Sequence, residues 1–220
     1  MSQLPAYASP RVHDVARVIA RWLYRPAFRV RVRGMQRVPR TGPVVVIANH
    51  SSMIEPQLIF GLLPRRSVFL VKQEMFRGVA GWGLRKIGQL AVRRGVPDRT
   101  PMLEAVRLLR EGGLVAVFPE GTRGAGDVAN AHQGAAWLVR SSGAVVVPIA
   151  IRGTHKPESG RRRFRPVLHM LVGEPFTVDV HRGRTGLVQA TERVRVELAS
   201  TVRDLDTYRA ANGIDDDDDT

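Results

Sequence analysis

The sequence predicts an α/β fold: one domain with a mostly parallel or mixed central sheet, helices on both faces, and an added N-terminal amphipathic helix. Two observations carry this expectation. Short continuous Val/Ile/Leu runs, such as Val44–Ala48 and residues 144–150, are too apolar for strands with a wet face and too short for core helices. Helical patterns separate these runs along the chain, the arrangement that builds sheets covered on both sides. A third observation sets the domain count: across 220 residues there is no internal repeat and no low-complexity linker.

The elements follow in order. Residues 11–25 read as a helix in which Val12, Val15, Ala16, Val18, Ile19, Trp22 and Leu23 share an arc of about 160° at 100° per residue. His13, Asp14, Arg17, Arg21 and Tyr24 fall opposite, and Pro26 closes the segment. Such a helix either packs on the domain or lies in a membrane interface, and the two uses are compatible. Strands are expected at 28–33, 43–48, 67–71, 89–93, 114–118, 145–151 and 167–172, with helices near 55–62, 75–87, 101–111, 132–142 and 186–209. Thr100 and Pro101 form a helix start, and Gly112 with Gly113 a helix stop. The expected division is an N-terminal amphipathic segment at 1–27, a domain at 28–209 and an acidic tail at 210–220. Five consecutive aspartates repel one another in that tail, with nothing apolar to anchor them, so it should be disordered.

Charge narrows the partners. Thirty-four Lys and Arg against 20 Asp and Glu give +14. Residues 1–203 hold thirty-three basic and thirteen acidic side chains, a net charge of +20. Such a field favours nucleic acid, a lipid surface or a phosphorylated substrate. Without cysteine there is no thiol nucleophile, disulfide or thiolate-bound metal. The six histidines do not cluster at metal-ligand spacing, so no metal is expected. No apolar stretch approaches the roughly 20 residues of a membrane span, and the N-terminus lacks the apolar core of a signal peptide. A cytoplasmic protein, soluble or peripheral, is expected.

Ligands in open α/β sheets collect at the loops after strand ends. After the strand at 43–48 comes Asn49-His50-Ser51-Ser52-Met53-Ile54-Glu55-Pro56. An imidazole can take a proton near neutral pH, and a carboxylate on its other nitrogen fixes the tautomer. On a regular helix, positions five apart diverge by about 140°. The pair therefore requires His50 in the strand-to-helix turn, with Glu55 reaching back from the first helical turn. After the strand at 114–118 comes Pro119-Glu120-Gly121-Thr122-Arg123-Gly124. Its hydroxyl, guanidinium and backbone N–H groups are the parts of a phosphate site. A structural histidine and an ordinary polar turn remain the plain readings of these two segments. No Walker A, HExxH or GxSxG motif competes.

Together these residues resemble the glycerolipid acyltransferases, in particular the 1-acyl-glycerol-3-phosphate (lysophosphatidic acid) acyltransferases. Asn49-His50-x4-Glu55 and Phe118-Pro119-Glu120-Gly121-Thr122-Arg123 are similar to two motifs of that family. Lys72-Gln73-Glu74-Met75-Phe76, the block Gly88–Arg94, Val147-Pro148 and Gly173-Glu174-Pro175 resemble further segments in the same order. The resemblance implies that His50 is the general base for direct attack of an acceptor hydroxyl on an acyl thioester, with Glu55 as orienter. It implies that Lys72, Arg94, Thr122 and Arg123 bind the acceptor phosphate, while Glu120 and Gly121 shape the glycerol site. No cofactor is implied; acyl-CoA or acyl carrier protein is the co-substrate, and lysophosphatidic acid becomes phosphatidic acid. Two departures stand out: Glu55 replaces the family's usual aspartate, and Arg93 stands where an acid is common. Another acceptor (glycerol-3-phosphate, another lysophospholipid or a glycolipid) and a non-catalytic lipid-binding role are the alternatives.

The densest basic run, Arg161-Arg162-Arg163-Phe164-Arg165, is either a solvated loop or a contact for anionic lipid or an acidic donor. With the N-terminal helix it predicts reversible binding to an anionic membrane surface, on the cytoplasmic side of the plasma membrane. A nucleic-acid partner is not expected, because there is no recognition motif and no platform of stacking aromatics.

Overall fold

The computed structural model describes residues 3–93, 99–121, 126–154, 165–179 and 183–214. The element order is α1 (Pro10–Leu23), β1 (Arg29–Arg33), β2 (Val44–Ala48), α2 (Ile54–Leu62), β3 (Val68–Lys72), α3 (Gly78–Lys86), β4 (Leu90–Val92), α4 (Arg99–Arg110), β5 (Leu114–Val117), α5 (Gly134–Ser142), β6 (Val145–Arg152), β7 (Val167–Val172) and α6 (Gly183–Ala211). All seven expected strands form, in one sheet of order β1-β7-β6-β2-β5-β3-β4. Every pairing is parallel except β6 with β7. The sheet is therefore mixed, with β1 and β7 running against the other five.

Burial explains the apolar runs. All five residues of β2 and all four of β5 are buried, because these strands sit inside the sheet and face helices on both sides. One face packs Val45, Ile47, Val115 and Val146 against α4, α5 and α6. The other packs Val44, Val46, Ala116 and Val147 against α2, with Ala20 of α1. The helix expected at 75–87 is shorter. A 3-10 turn at Gln73–Met75 precedes α3, and Gly78, the first residue of α3, takes φ +56, a left-handed step that separates the two and favours glycine. The expected tail at 210–220 begins too early, because α6 runs on to Ala211 and residues 212–214 follow it in a turn; the five aspartates lie outside the described residues.

The N-terminal helix packs on the domain with its polar side. Val15, Val18, Ile19, Trp22 and Leu23 are each more than half exposed, whereas His13 and Ala20 are buried. Beside the packing of Ala16 and Ala20, the contacts to the body are polar. Asp14 forms a two-pronged ion pair with Arg66 at 2.9 and 2.6 Å. Arg17 donates to the Leu63 carbonyl and Tyr24 donates to Gln57. Close approach depends on Gly61 in α2, where a Cβ would lie 2.4 Å from the Arg21 backbone nitrogen. Among the described residues no helix is long and apolar enough to cross a membrane.

His13 joins three elements. Its Nδ1 lies 2.6 Å from the Ile87 carbonyl just past α3, and its ring meets Phe60 of α2 edge-on at 4.9 Å. Burial pushes its pKa down to about 4 from the ordinary 6.5, helped by Arg17 and Arg66 and opposed by the Ile87 carbonyl and Asp14. A lowered histidine pKa means that the neutral ring stabilises the fold above about pH 6.5 and that this contribution is lost as pH falls towards 4. Thermal melts of the wild type should therefore lose stability across that window more steeply than those of His13→Gln.

Candidate active site

The end of β2 feeds a tight strand-to-helix turn, which places His50 just before α2 and Glu55 in its first turn. The two meet as the five-residue spacing requires: His50 Nδ1 lies 2.9 Å from Glu55 Oε2. Glu55 is completely buried, yet donors from four residues, His50, Ser51, Ser52 and Thr154, converge on its carboxylate. The Ser51 amide donates to Oε2 at 2.9 Å; the Ser51 hydroxyl and the Thr154 hydroxyl donate to Oε1 at 2.6 and 2.7 Å. Burial alone would raise the Glu55 pKa, but the bonds from His50, Ser51, Thr154 and the Ser52 backbone outweigh it and hold the carboxyl below its usual value. Glu55 is thus an anion at neutral pH, and its position at a helix N-terminus adds favourable dipole. With Nδ1 turned to this carboxylate, the imidazole has Nε2 left to accept a proton.

Two further contacts fix the histidine. Its ring stacks on Phe118 at the end of β5, with centroids 4.4 Å apart and planes 29° apart. Its backbone N–H donates to Glu120 Oε1 at 2.9 Å. Asn49, fully buried, clamps the neighbouring strand: its Oδ1 accepts from the Ile151 amide at 2.8 Å and its Nδ2 donates to the Ile151 carbonyl at 3.0 Å. The turn bearing His50 is therefore tied to β5 on one side and β6 on the other.

The family model described as Acyltransferase matches residues 29–152, more than half of the chain. The chain is a member of the glycerolipid acyltransferase family. It is 31% identical over 150 residues to the 1-acyl-sn-glycerol-3-phosphate acyltransferase of Bacillus subtilis (strain 168), covering 67% of this chain and 73% of that protein. To the Pseudomonas aeruginosa protein of the same name it is 24% identical over 191 residues, covering 84% and 74%. The crystal structure of the 1-acyl-sn-glycerophosphate (LPA) acyltransferase from Thermotoga maritima superposes with a TM-score of 0.64 at 25% identity, covering 89% of this chain and 78% of that one.

In this acyltransferase the sequence-predicted residues divide into three groups. His50, Glu55, Glu120 and Gly121 come together where β2 and β5 end. Gly121 has φ +68, and a Cβ there would lie 2.4 Å from the His132 ring, so glycine admits the ring of His132 against the turn. Burial raises the Glu120 pKa, opposed by the His50 N–H and supported by nearby Asp127. Lys72 sits at the end of β3 on the same sheet edge, 3.4 Å from Glu74. Arg94, Thr122 and Arg123 lie outside the described residues, as does Arg161-Arg162-Arg163-Phe164. Among the described residues no group of three His, Asp or Glu side chains could hold a metal ion.

Sequence reading missed Ser51, Thr154 and Arg152. Arg152, at the end of β6, grips Asp206 of α6 at 2.7 and 2.9 Å and donates to the Gly126 carbonyl at 3.0 Å. It thereby fastens the loop that also receives Asn49 Nδ2 at 3.3 Å. Thr154 is 99 residues from the carboxylate it serves, a separation at which no local spacing signals a partnership. Replacing Glu55→Gln should lower kcat by about 10²–10⁴ with little change in acceptor KM, because the charge that favours the imidazolium is gone. Thr154→Val should lower kcat by about tenfold, and Thr154→Ser should restore it; steady-state acyl transfer measures both.

Proposed function

We propose that this enzyme moves a fatty acyl group from a thioester, acyl-CoA or acyl carrier protein, onto the free hydroxyl of lysophosphatidic acid. The observation that carries the reading is the His50–Glu55 pair, with its carboxylate buried, ionised and held at 2.9 Å from Nδ1. His50 Nε2 takes the hydroxyl proton as the oxygen attacks the thioester carbonyl. The carbon–sulfur bond then breaks, and the imidazolium returns its proton to the departing thiolate. Glu55 stabilises the imidazolium and stays ionised throughout. The curated relatives in Bacillus subtilis and Pseudomonas aeruginosa bear the name of this reaction.

The acceptor phosphate is assigned to Arg94, Thr122 and Arg123 with Lys72, on the strength of their family motifs. Glu120 braces the His50 backbone, and Gly121, whose missing side chain admits the His132 ring, shapes the glycerol site beside it. Acylation of another lysophospholipid is the second reading, favoured by two observations: the longer Glu55 in place of aspartate, and Arg93 facing the same sheet edge as Lys72.

The outward apolar face of α1 supports a peripheral membrane enzyme. Trp22, with the Arg25 guanidinium 4.4 Å over its ring, suits a depth where an aromatic body meets lipid and a cation meets headgroups. The cytoplasmic face of the plasma membrane is the proposed site of action.

An acyl-transfer assay with both donors against a panel of lysolipids tests the reaction. His50→Ala should abolish turnover while circular dichroism stays native; retained activity would remove the base. Arg123→Ala should raise acceptor KM by more than it lowers kcat, whereas an unchanged KM would count against the phosphate assignment. Replacing Ile19 and Trp22 by aspartate should weaken sedimentation with vesicles without altering the melting temperature, since neither side chain supports the core.

A further inference from the structure

The edge strand β1 alternates arginine with valine, Arg29-Val30-Arg31-Val32-Arg33. Its one strand neighbour is β7, and successive side chains of a strand point to opposite faces. Val30 and Val32 pack on the α2 side of the sheet. Arg29, Arg31 and Arg33 therefore stand on the α6 side, where Leu171, the partner of Arg33, also packs. All three arginines are exposed, and among the described residues none of them forms a salt bridge. Arg33 is held by the Tyr208 ring of α6, 4.1 Å from its guanidinium.

This row of cations is not explained by the fold. Like charges along one strand face repel one another, and a single charge is enough to keep another sheet from pairing with an edge. Their field reaches inwards. His169 of β7 is buried beside Tyr208, and its pKa is lowered by burial first and then by Arg209, Arg31 and Arg33. Uncompensated positive potential of this kind favours an acidic partner.

Shape and position narrow that partner. The ladder steps by two strand residues, about 6.7 Å, and side chains one turn apart on a helix step by about 5–6 Å. A helix laid along β1 with acids on one face thus brings a carboxylate to each arginine. The outward apolar face of α1 lies on the other side of the molecule, because Ala16 and Ala20 pack α1 onto the α2 layer. A bilayer meeting α1 leaves the ladder turned towards solvent and open to a soluble protein.

The ladder also stands level with the candidate active site. Asn49, next to His50, bonds both backbone groups of Ile151. Ile151 lies opposite Met170, and Met170 opposite Val32, so Arg31 and Arg33 flank the row that leads to the His50 turn. Strand β1 is three strands from β2, roughly 14 Å at about 4.8 Å per strand. A phosphopantetheine arm has about thirteen bonds from phosphorus to sulfur, the equal of about four extended residues or roughly 15 Å. A thioester tethered to a protein on the ladder has the reach to meet His50.

We propose that Arg29, Arg31 and Arg33 dock acyl carrier protein, binding the acidic face of one of its helices, so that the acyl donor arrives attached to a protein. Delivery of the acyl group in this way rests on the proposed reaction; the docking itself does not.

Fluorescently labelled bacterial holo-acyl carrier protein, titrated with the enzyme in a neutral detergent without acceptor, tests it. Arg29→Gln/Arg31→Gln should bind the carrier about fivefold or more weakly than wild type, since cations facing a complementary partner strengthen binding several-fold. Added salt should weaken wild-type binding more than that of the variant. In acyl transfer the same variant should show a KM for acyl carrier protein raised by a similar factor, with kcat and the KM for acyl-CoA within about twofold of wild type. The charge-matched Arg40→Gln/Arg193→Gln, at exposed positions outside β1, should bind the carrier as wild type does. Equal losses in the two double variants would reduce the effect to net charge and overturn the proposal. So would an equal rise in KM for both donors, wild type binding no carrier, or unchanged carrier binding with weakened sedimentation on anionic vesicles, which would give the ladder to lipid. Carrier binding without transfer to lysophosphatidic acid would sink the reaction and leave the docking standing, so the two readings fail separately.

Discussion

Glu55 is a carboxylate with no solvent exposure, and an ion so placed persists only if protein donors replace the water it has lost. That requirement reaches well beyond the side chain. His50, Ser51 and Ser52 must lie in one tight turn to aim their donors, and Thr154 must arrive from the end of β6. The turn in turn depends on Asn49, which replaces missing strand pairing by bonding both backbone groups of Ile151. Replacement of the family's usual aspartate by glutamate fits this setting. The added methylene carries the carboxylate to two hydroxyls while keeping one oxygen at the imidazole.

The same sheet that buries this carboxylate sets the site's openness on the other side. Because β2 and β5 are parallel neighbours, their following loops emerge at one edge, and His50 stacks on Phe118 across that edge. Phe118 continues the stack to Phe69 of β3 at 6.3 Å. An aromatic floor therefore runs from His50 towards β3.

Docking of α1 shows how polar contacts can free an apolar face. Hydrophobic burial would favour turning Val15, Ile19 and Trp22 inwards. Instead the Asp14–Arg66 pair, the Arg17 bond to Leu63 and the neutral His13 fix the helix by its other side. Gly61 lets the two backbones approach closely enough for those short reaches. Exposed apolar residues spread along a whole helix face mark an interaction surface, and here the fold holds that surface outwards at the expense of burying polar groups.

The fold class was legible because strand and helix signals are local. Five-residue runs such as Val44–Ala48 and start and stop residues such as Pro101 and Gly112 act within a few positions, and the seven strands formed where such signals stood. His50 and Glu55 were legible for the same reason, since five residues of turn suffice to join them. By itself, then, the sequence determined the elements, the covered sheet, the pairing of His50 with Glu55 and the amphipathic arc of α1. Tertiary structure alone decided the strand order, which face of α1 points outwards, and the partnership of Glu55 with Thr154. It also set Arg29, Arg31 and Arg33 on the face of the sheet opposite α1. These rest on contacts between residues far apart in the chain, and chain spacing carries no record of which distant side chains the packed sheet brings within bonding distance.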